Sequence, residues 1–434
     1  MSERYESIVS EIPGPRSREL ARQLARYEAP GVTFLGDDYP VFWERAEGAL
    51  VVDVDGNRYL DLTSAFGVAA SGHTNPAVAG AIAEQASRLI HGMGDVHPTE
   101  VRTALLEALA ELAPGMLQKT YLATSGAEAV EFALKTALLA TGKSRFLAYH
   151  GAYHGLSLGA LEVAGIDKFR TPFAALVPAR TTFLTYPDTK TTVAHAIAAV
   201  RTALAHDPEI GAVIVEPIQG RGGVIVPPYG FLLALRSFCD EHGLLLILDE
   251  IYTGFGRTGA MFACEHEDVV PDLLCVGKAL AGGVPLSATI GTARVMDAWP
   301  VSAGEAIHTS TFLGNPLACA AALANLDQIA RLDLVERVQA REQHLRDRLR
   351  KLQARYRSVR DVRGLGFLWG VEFVDGAFAN RVVVRALARG LILLQSGPIG
   401  TSITLAPPLT IEDGQLARAL TLFEETVRSC EEEV

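Results

Sequence analysis

Residues 242–288 read HGLLLILDEIYTGFGRTGAMFACEHEDVVPDLLCVGKALAGGVPLSA. Two short apolar runs stand in this stretch, and each ends in a charge. The run 244–248, LLLIL, leads into Asp249-Glu250, and the run 273–276, LLCV, leads through Gly277 into Lys278. Apolar runs of about 4–8 residues bounded by turn formers read as strands buried on both faces, the pattern of a parallel sheet. Ligands of open α/β sheets gather outside the carboxyl ends of the strands. The stretch therefore delivers an acid and an amine to the edge where chemistry is done. Taken singly, an aspartate there is as readily a turn or cap residue, and a lysine as readily a solvated charge. Their pairing favours chemistry, as do Gly277, Gly282 and Gly283, which leave the backbone bare for close approach of a ligand.

Outward from this stretch, short apolar runs alternate with helical periodicity. Residues 120–124 (TYLAT) end a strand, Ser125-Gly126-Ala127-Glu128 turns, and AVEFALKTALLA continues as a helix. A small-residue turn opening a helix presents free N–H groups and the positive dipole end, which suits a phosphate. A capping box between Ser125 and Glu128 is the plainer alternative. Residues 146–149 and 212–215 are further strands, the second ending at Glu216-Pro217, and SATIGTARV from Ser287 is another. Helices fall at 77–92, 99–113 and 229–241. This alternation predicts an α/β fold, a large domain with a mostly parallel central sheet flanked by helices plus a small α+β domain.

From about 317 the chain reads as helical. In 331–356, Val338, Leu345, Leu349, Leu352 and Tyr356 form one stripe, with the arginines as a solvated face. Strands from Val359 to Phe373, Leu391 to Leu394 and Ile403 to Leu405 build the small domain. At the other end, residues 16–28 read as an amphipathic helix with Leu20, Leu24 and Tyr27 on one face. Asp55-Gly56 marks a hairpin turn. The expected division is 1–60 joining the small domain, 61–320 as the large domain, and 321–434 as the C-terminal small domain.

The chain has 434 residues, 49% hydrophobic and 21% charged, enough for a large core. A formal net charge of −11 and a pI near 5.5 lack the basic footprint of a nucleic-acid binder. Metabolite chemistry fits better. Five scattered cysteines without metal spacing read as small core residues of a reducing compartment. No apolar run approaches the roughly 20 residues of a spanning helix, and the first thirty residues lack a signal-peptide core. A cytoplasmic location with no membrane partner is expected.

DEIYTGFGRTG followed by the lysine of VGKALAGGVPLSA resembles the class III (omega-type) aminotransferases, fold-type-I enzymes that use pyridoxal 5'-phosphate (PLP). The resemblance covers nearly the whole chain. It implies that Lys278 is the Schiff-base lysine, a role that needs a desolvated amine. It implies that Asp249 pairs with the pyridine nitrogen, a role that needs an ionised acid. Ile251 would pack under the ring, and Ser125, Gly126 and Ala127 would hold the phosphate. Tyr153 would stack on the ring, one flat face on another, with His154 supporting it and Glu216 nearby. Tyr252 replaces a family glutamine that contacts the ring hydroxyl, a contact a phenol can also reach. Thr311, in HTSTFLGNP, matches the threonine that reaches the phosphate of the neighbouring subunit's cofactor, which implies a homodimer with shared active sites.

Three departures bear on the substrate. Ornithine- and GABA-type members carry a carboxylate-binding arginine where Leu156 stands, and a second where Thr404 stands, two residues before Ala406-Pro407-Pro408-Leu409. A hydroxyl does not replace a bidentate guanidinium. Where the family often has a glutamate after Ile-Gln-Gly, this chain has Arg221. The pattern reads as a relocated carboxylate anchor at Arg221, or else as an arginine on the rim of a Gly-rich loop. Phe66, at the entry to the large domain, is a further candidate substrate contact. The loop around Met93, Asp95 and His97 shapes the entrance or is simply a loop, and His73 is a structural turn residue. The resemblance implies a transaminase moving an amino group from an amino acid or amine to an oxo acid such as pyruvate. The alternative on the same scaffold is an amino-acid racemase or aminomutase.

Overall fold

The computed structural model describes residues 4–433. Seven strands form the central sheet: β1 (Leu117–Ala123), β2 (Arg145–Tyr149), β3 (Thr181–Leu184), β4 (Ile210–Val215), β5 (Leu245–Asp249), β6 (Leu273–Val276) and β7 (Ser287–Thr292). Their order is β1-β7-β6-β5-β4-β2-β3. Four of the six neighbouring pairs are parallel, and both antiparallel pairs involve β7. The expected α/β fold with a mostly parallel sheet is the fold observed. Every residue of β4, β5 and β6 is buried, the reason these segments carry almost no polar alternation. Asp249 pairs with Cys275 across β5 and β6, so Lys278, three residues beyond Cys275, emerges at the same sheet edge.

Three segments depart from the sequence reading. The strand expected to run through SATIGTARV stops at Thr292, and Ala293–Met296 turns into a short helix. Ala, Arg and Met all favour that state over a strand. The helical C-terminal stretch is two helices, Pro316–Arg331 and Leu334–Arg355, broken at Asp333, whose φ is +47°. A left-handed residue ends a helix, and aspartate tolerates that conformation better than most. The run 391–394 is divided: Leu394–Ser396 joins the C-terminal sheet, whereas Leu391–Ile392 pairs in parallel with Arg58–Asp61. That pairing ties the N-terminal strands Trp43–Glu47, Leu50–Asp53 and Arg58–Asp61 to the C-terminal part of the chain.

The first described helix, Pro15–Tyr27, fully buries only Ser17; on its apolar face Leu20 and Leu24 are half-buried and Tyr27 is 77% exposed. His73 is a structural residue, its Nε2 2.8 Å from buried Asp61. All five cysteines are free and buried. Among the described residues, no helix is long and apolar enough to cross a membrane, and no group of His, Cys, Asp and Glu could hold a metal ion.

Candidate active site

Asp249 closes β5 with its carboxylate 4% exposed, and two donors orient it. The Ile251 N–H donates to Oδ1 at 3.1 Å, and His154 Nδ1 lies 2.7 Å from Oδ2. His154 is itself buried, and its Nε2 has no hydrogen-bond partner. Burial works against the imidazolium, but the hydrogen bond and charge of Asp249, with Glu216 behind, prevail and hold the His154 pKa above its ordinary value. Glu216 follows β4 and accepts the N–H groups of Tyr153 at 2.9 Å and Gly220 at 3.0 Å. Burial pushes its pKa up to about 7, with His154 opposing the rise and Asp249 adding to it.

Lys278 sits just past β6 with φ at +43°, a left-handed setting that costs a non-glycine residue roughly 1–3 kcal/mol. Burial lowers its pKa, against the pull of Asp249 and Glu216. Gly277 lets β6 lie close to Ser287, since a Cβ there would stand 2.5 Å from Ser287 Oγ and displace that hydroxyl. The lysine Nζ stands 4.2 Å from the centroid of the Tyr252 ring. That ring is held between two backbones: a Cβ on Gly67 would meet it at 2.4 Å, and one on Gly220 at 2.2 Å.

Helix α1 (Gly126–Thr141) begins directly after β1. Ser125 Oγ accepts the Glu128 N–H at 3.2 Å, but the Glu128 carboxylate turns to Thr124, accepting its N–H at 2.8 Å and its hydroxyl at 2.7 Å. The capping box is therefore half made. The first-turn positions Gly126 and Ala127, which have no carbonyl four residues back, face a cavity of about 280 Å³. Tyr153, His154, Leu156, Asp249, Ile251 and Lys278 also line it. Close approach explains two of its features. A Cβ on Gly126 would strike Ile251 Cδ1 at 2.8 Å, and Gly155, at φ +119°, lets the loop after Tyr153 lie against Ala127.

A second cavity, about 430 Å³, shares Tyr153, Glu216, Tyr252 and Lys278 with the first. Phe66, Phe169, Gly220, Arg221, Leu394, Ser396 and Thr404 complete it. Phe66 belongs to a left-handed run in which Ser64, Ala65 and Phe66 all have positive φ. The Arg221 Nη1 donates to the Gln395 carbonyl at 2.9 Å, and no carboxylate pairs with this guanidinium among the described residues. Thr404 Oγ1 lies 2.7 Å from Ser396 Oγ.

The structure thus gathers Lys278, Asp249, Gly126, Ala127, Tyr153, Glu216, Ile251, Tyr252, Phe66, Leu156, Arg221 and Thr404 around two joined cavities. Leu156 lies in the cavity at the start of α1, apart from Arg221 and Thr404. Ser125 stands behind Gly126 as the helix cap, and Thr311 is exposed and lines neither cavity. Phe169, Ser287, Leu394 and Ser396 escape the sequence reading. Ser287 opens β7 opposite Gly277, so its place depends on strand pairing rather than on a motif. Phe169 packs edge-on to Tyr153 at 5.6 Å, which only the folded loop reveals.

The donor set fits PLP: backbone N–H groups at a helix start for a phosphate, a flat aromatic wall, a buried acid fixed by an imidazole whose other nitrogen has no partner, and a desolvated amine. The fold and site define a fold-type-I, PLP-dependent enzyme. The family model for class-III aminotransferases matches residues 35–427, and the chain belongs to that family. It is 40% identical to a 4-aminobutyrate aminotransferase of Mycobacterium leprae, over 97% of this chain and 98% of that one. It is 42% identical to an acetylornithine aminotransferase of Methanopyrus kandleri, over 90% of this chain and 95% of that one. A PLP-bound amine transaminase from an uncultivated Pseudomonas species superposes with a TM-score of 0.85 at 30% identity, over 94% of this chain and 98% of that one. The chain is a PLP-dependent transaminase.

Proposed function

We propose that this transaminase moves an amino group between a donor with one carboxylate and a small oxo acid such as pyruvate, and that Arg221 anchors the carboxylate. One observation carries this reading: Arg221 lines the larger of the two cavities with a guanidinium that has no acidic partner among the described residues. An arginine left unpaired in a cavity wall is set for an anionic ligand. The positions that hold arginines in ornithine- and GABA-type members are Leu156 and Thr404, so 2-oxoglutarate is the weaker acceptor in this reading.

Bound PLP supplies an aldehyde for the amine and a ring that withdraws electrons from the substrate carbon. Asp249, oriented by His154 and the Ile251 N–H, presents a carboxylate to the ring nitrogen. With PLP bound, Tyr153 and Ile251 would wall its ring, and the Gly126 and Ala127 amides with Ser125 would hold its phosphate. Lys278 Nζ, held toward its neutral form by burial, is the base that would take the proton from the substrate carbon and, as its conjugate acid, would give it up to the cofactor carbon that carried the aldehyde. A homodimer in which Thr311 of one protomer completes the other's phosphate site accounts for the exposure of Thr311, and a cytoplasmic setting for the five free thiols.

The test is a panel of amino donors incubated with pyruvate or 2-oxoglutarate, followed by the cofactor spectrum and by donor chirality. Conversion of the cofactor to its amine form by donor alone, and faster return with pyruvate, is expected. Loss of optical purity without consumption of oxo acid would instead identify a racemase. If Arg221→Ala leaves the KM of every carboxylate substrate unchanged, the anchor lies elsewhere.

A further inference from the structure

The cavity wall beside Arg221 carries two hydroxyls, and their arrangement has a specific chemical consequence. Leu394–Ser396 pairs antiparallel with Ser402–Leu405, placing Leu394 opposite Thr404 and Ser396 opposite Ser402. Residues two apart share a face of a strand, so Leu394, Ser396 and Thr404 all line the cavity while Gln395 points away, its amide on the Gly376 and Gly400 carbonyls. Ser396 and Thr404 are each 3% exposed, and their oxygens are 2.7 Å apart. Two hydroxyls carry two hydrogens, and one hydrogen makes the bond between them. Thr404 Oγ1 donates that one, so the hydrogen of Ser396, a cavity-lining residue, is left with no acceptor among the described residues. Arg221 is fixed at the same place: its Nη1 bonds the Gln395 carbonyl, and its own carbonyl accepts the Gly397 N–H at 3.0 Å, one residue to either side of Ser396. Only one of the five guanidinium N–H donors is used there.

We propose that the Ser396–Thr404 hydroxyl pair is the second half of the carboxylate subsite, giving one oxygen of the ligand a neutral donor while Arg221 takes the other. The proposal rests on the reading of Arg221 as the anchor. It assigns Ser396 as a specificity-determining residue, and Thr404 as the residue that orients it. The ligand class is a compact monocarboxylate. Of the remaining lining, Phe66, Phe169 and Leu394 are apolar, Glu216 is an acid that does not favour a second carboxylate, and Tyr153, Tyr252 and Lys278 are shared with the smaller cavity on the cofactor side.

The test uses the PLP-loaded protein and propionate, an unreactive monocarboxylate, with affinity read by calorimetry. A hydrogen bond to a charged group corresponds to about tenfold or more in affinity. Ser396→Ala and Thr404→Val are each expected to weaken propionate about tenfold, and the double variant no further than the worse single, because the pair acts as one unit. Thr404→Ser, which keeps the hydroxyl, is expected to restore binding. In turnover, Ser396→Ala is expected to lower the preference for a carboxylate donor over a carboxyl-free amine by the same factor. If Arg221→Ala abolishes propionate binding while Ser396→Ala and Thr404→Val leave it intact, the hydroxyl pair is excluded and the Arg221 anchor stands. If Arg221→Ala also leaves it intact, both readings fall.

Discussion

His154 Nδ1 lies 2.7 Å from Asp249 Oδ2, and both side chains are buried. The pair fixes the acid at the end of β5 and stabilises charge on the imidazole. Because the folded pKa of His154 is raised, its proton stabilises the fold fully below the ordinary value of 6.5, and that contribution is lost as pH rises through the higher folded value. His154→Phe is therefore expected to lower stability most at acidic to neutral pH, by about 1.5–3 kcal/mol for a charge-assisted hydrogen bond. Melting temperatures of the two proteins across pH 6–9 (roughly the range over which a raised histidine titrates) should converge toward the alkaline end.

Glu216 shows the same direction of shift in an acid. Burial raises its folded pKa to about 7 from an ordinary 4.5, so the protonated form is the one the fold prefers. The stability it contributes is present below 4.5 and disappears as pH rises through about 7. Glu216→Gln removes that titration. The melting temperature of the native protein minus that of the variant should fall between those two pH values and then stay level. A difference that does not change with pH would mean that the folded carboxyl titrates at its ordinary value and that burial does not raise it.

The Tyr252 ring occupies a slot that only glycines leave open, since a Cβ on Gly67 would stand 2.4 Å from Cε2 and one on Gly220 2.2 Å from Cδ1. Gly67 also has φ at +84°, and the Gly220 backbone is tied to the Glu216 carboxylate and to the N–H groups of Gly223 and Val224. Gly220→Ala should force the ring toward Lys278 or strain the loop, costing about 1–3 kcal/mol by overpacking. Denaturant unfolding would measure that loss, and kcat/KM should fall with it because the ring carries the Lys278 contact. In the Gly220→Ala/Tyr252→Ala double variant, the part of the stability loss due to the collision should be relieved.

How much of this could be read in advance follows from the range of each interaction. The placement of Asp249 and Lys278 was legible because both close buried apolar runs, and strand ends on one sheet edge meet by topology alone. Gly126 and Ala127 were legible for a similarly local reason, a small-residue turn at a helix start. Ser396 and Ser287 were not, because each enters the site through pairing of strands distant in sequence. The division of 391–394 between two sheets was hidden likewise: one apolar run has no mark that tells which sheet each half will join. Thr311 is a different case, since its role by resemblance involves a neighbouring protomer and its own chain leaves it exposed.

Arg257 is buried to 1% exposure, and no carboxylate pairs with it among the described residues. Burial lowers its pKa to about 10, with Tyr252 and Asp61 opposing. Its Nη1 donates to the carbonyls of Pro407 and Phe367, and its Nη2 lies 3.4 Å from Ser64 Oγ. Ser64 in turn donates to the Ala406 carbonyl at 2.6 Å, so one guanidinium joins the loop after β5, the left-handed turn leading to Phe66 and the segment after Thr404. Arg257→Met keeps much of the volume but strands these acceptors. At about 1–3 kcal/mol for each buried group left unpaired, the variant should lose about 2–5 kcal/mol in denaturant unfolding. The cavity wall formed by Phe66 should loosen with it, raising the KM of the carboxylate donor. Arg257→Lys, which keeps the charge but reaches fewer acceptors, should fall between the two. Equal stability of the methionine variant and the native protein would show that the carbonyls find other donors, and that Phe66 is positioned by the backbone turn alone.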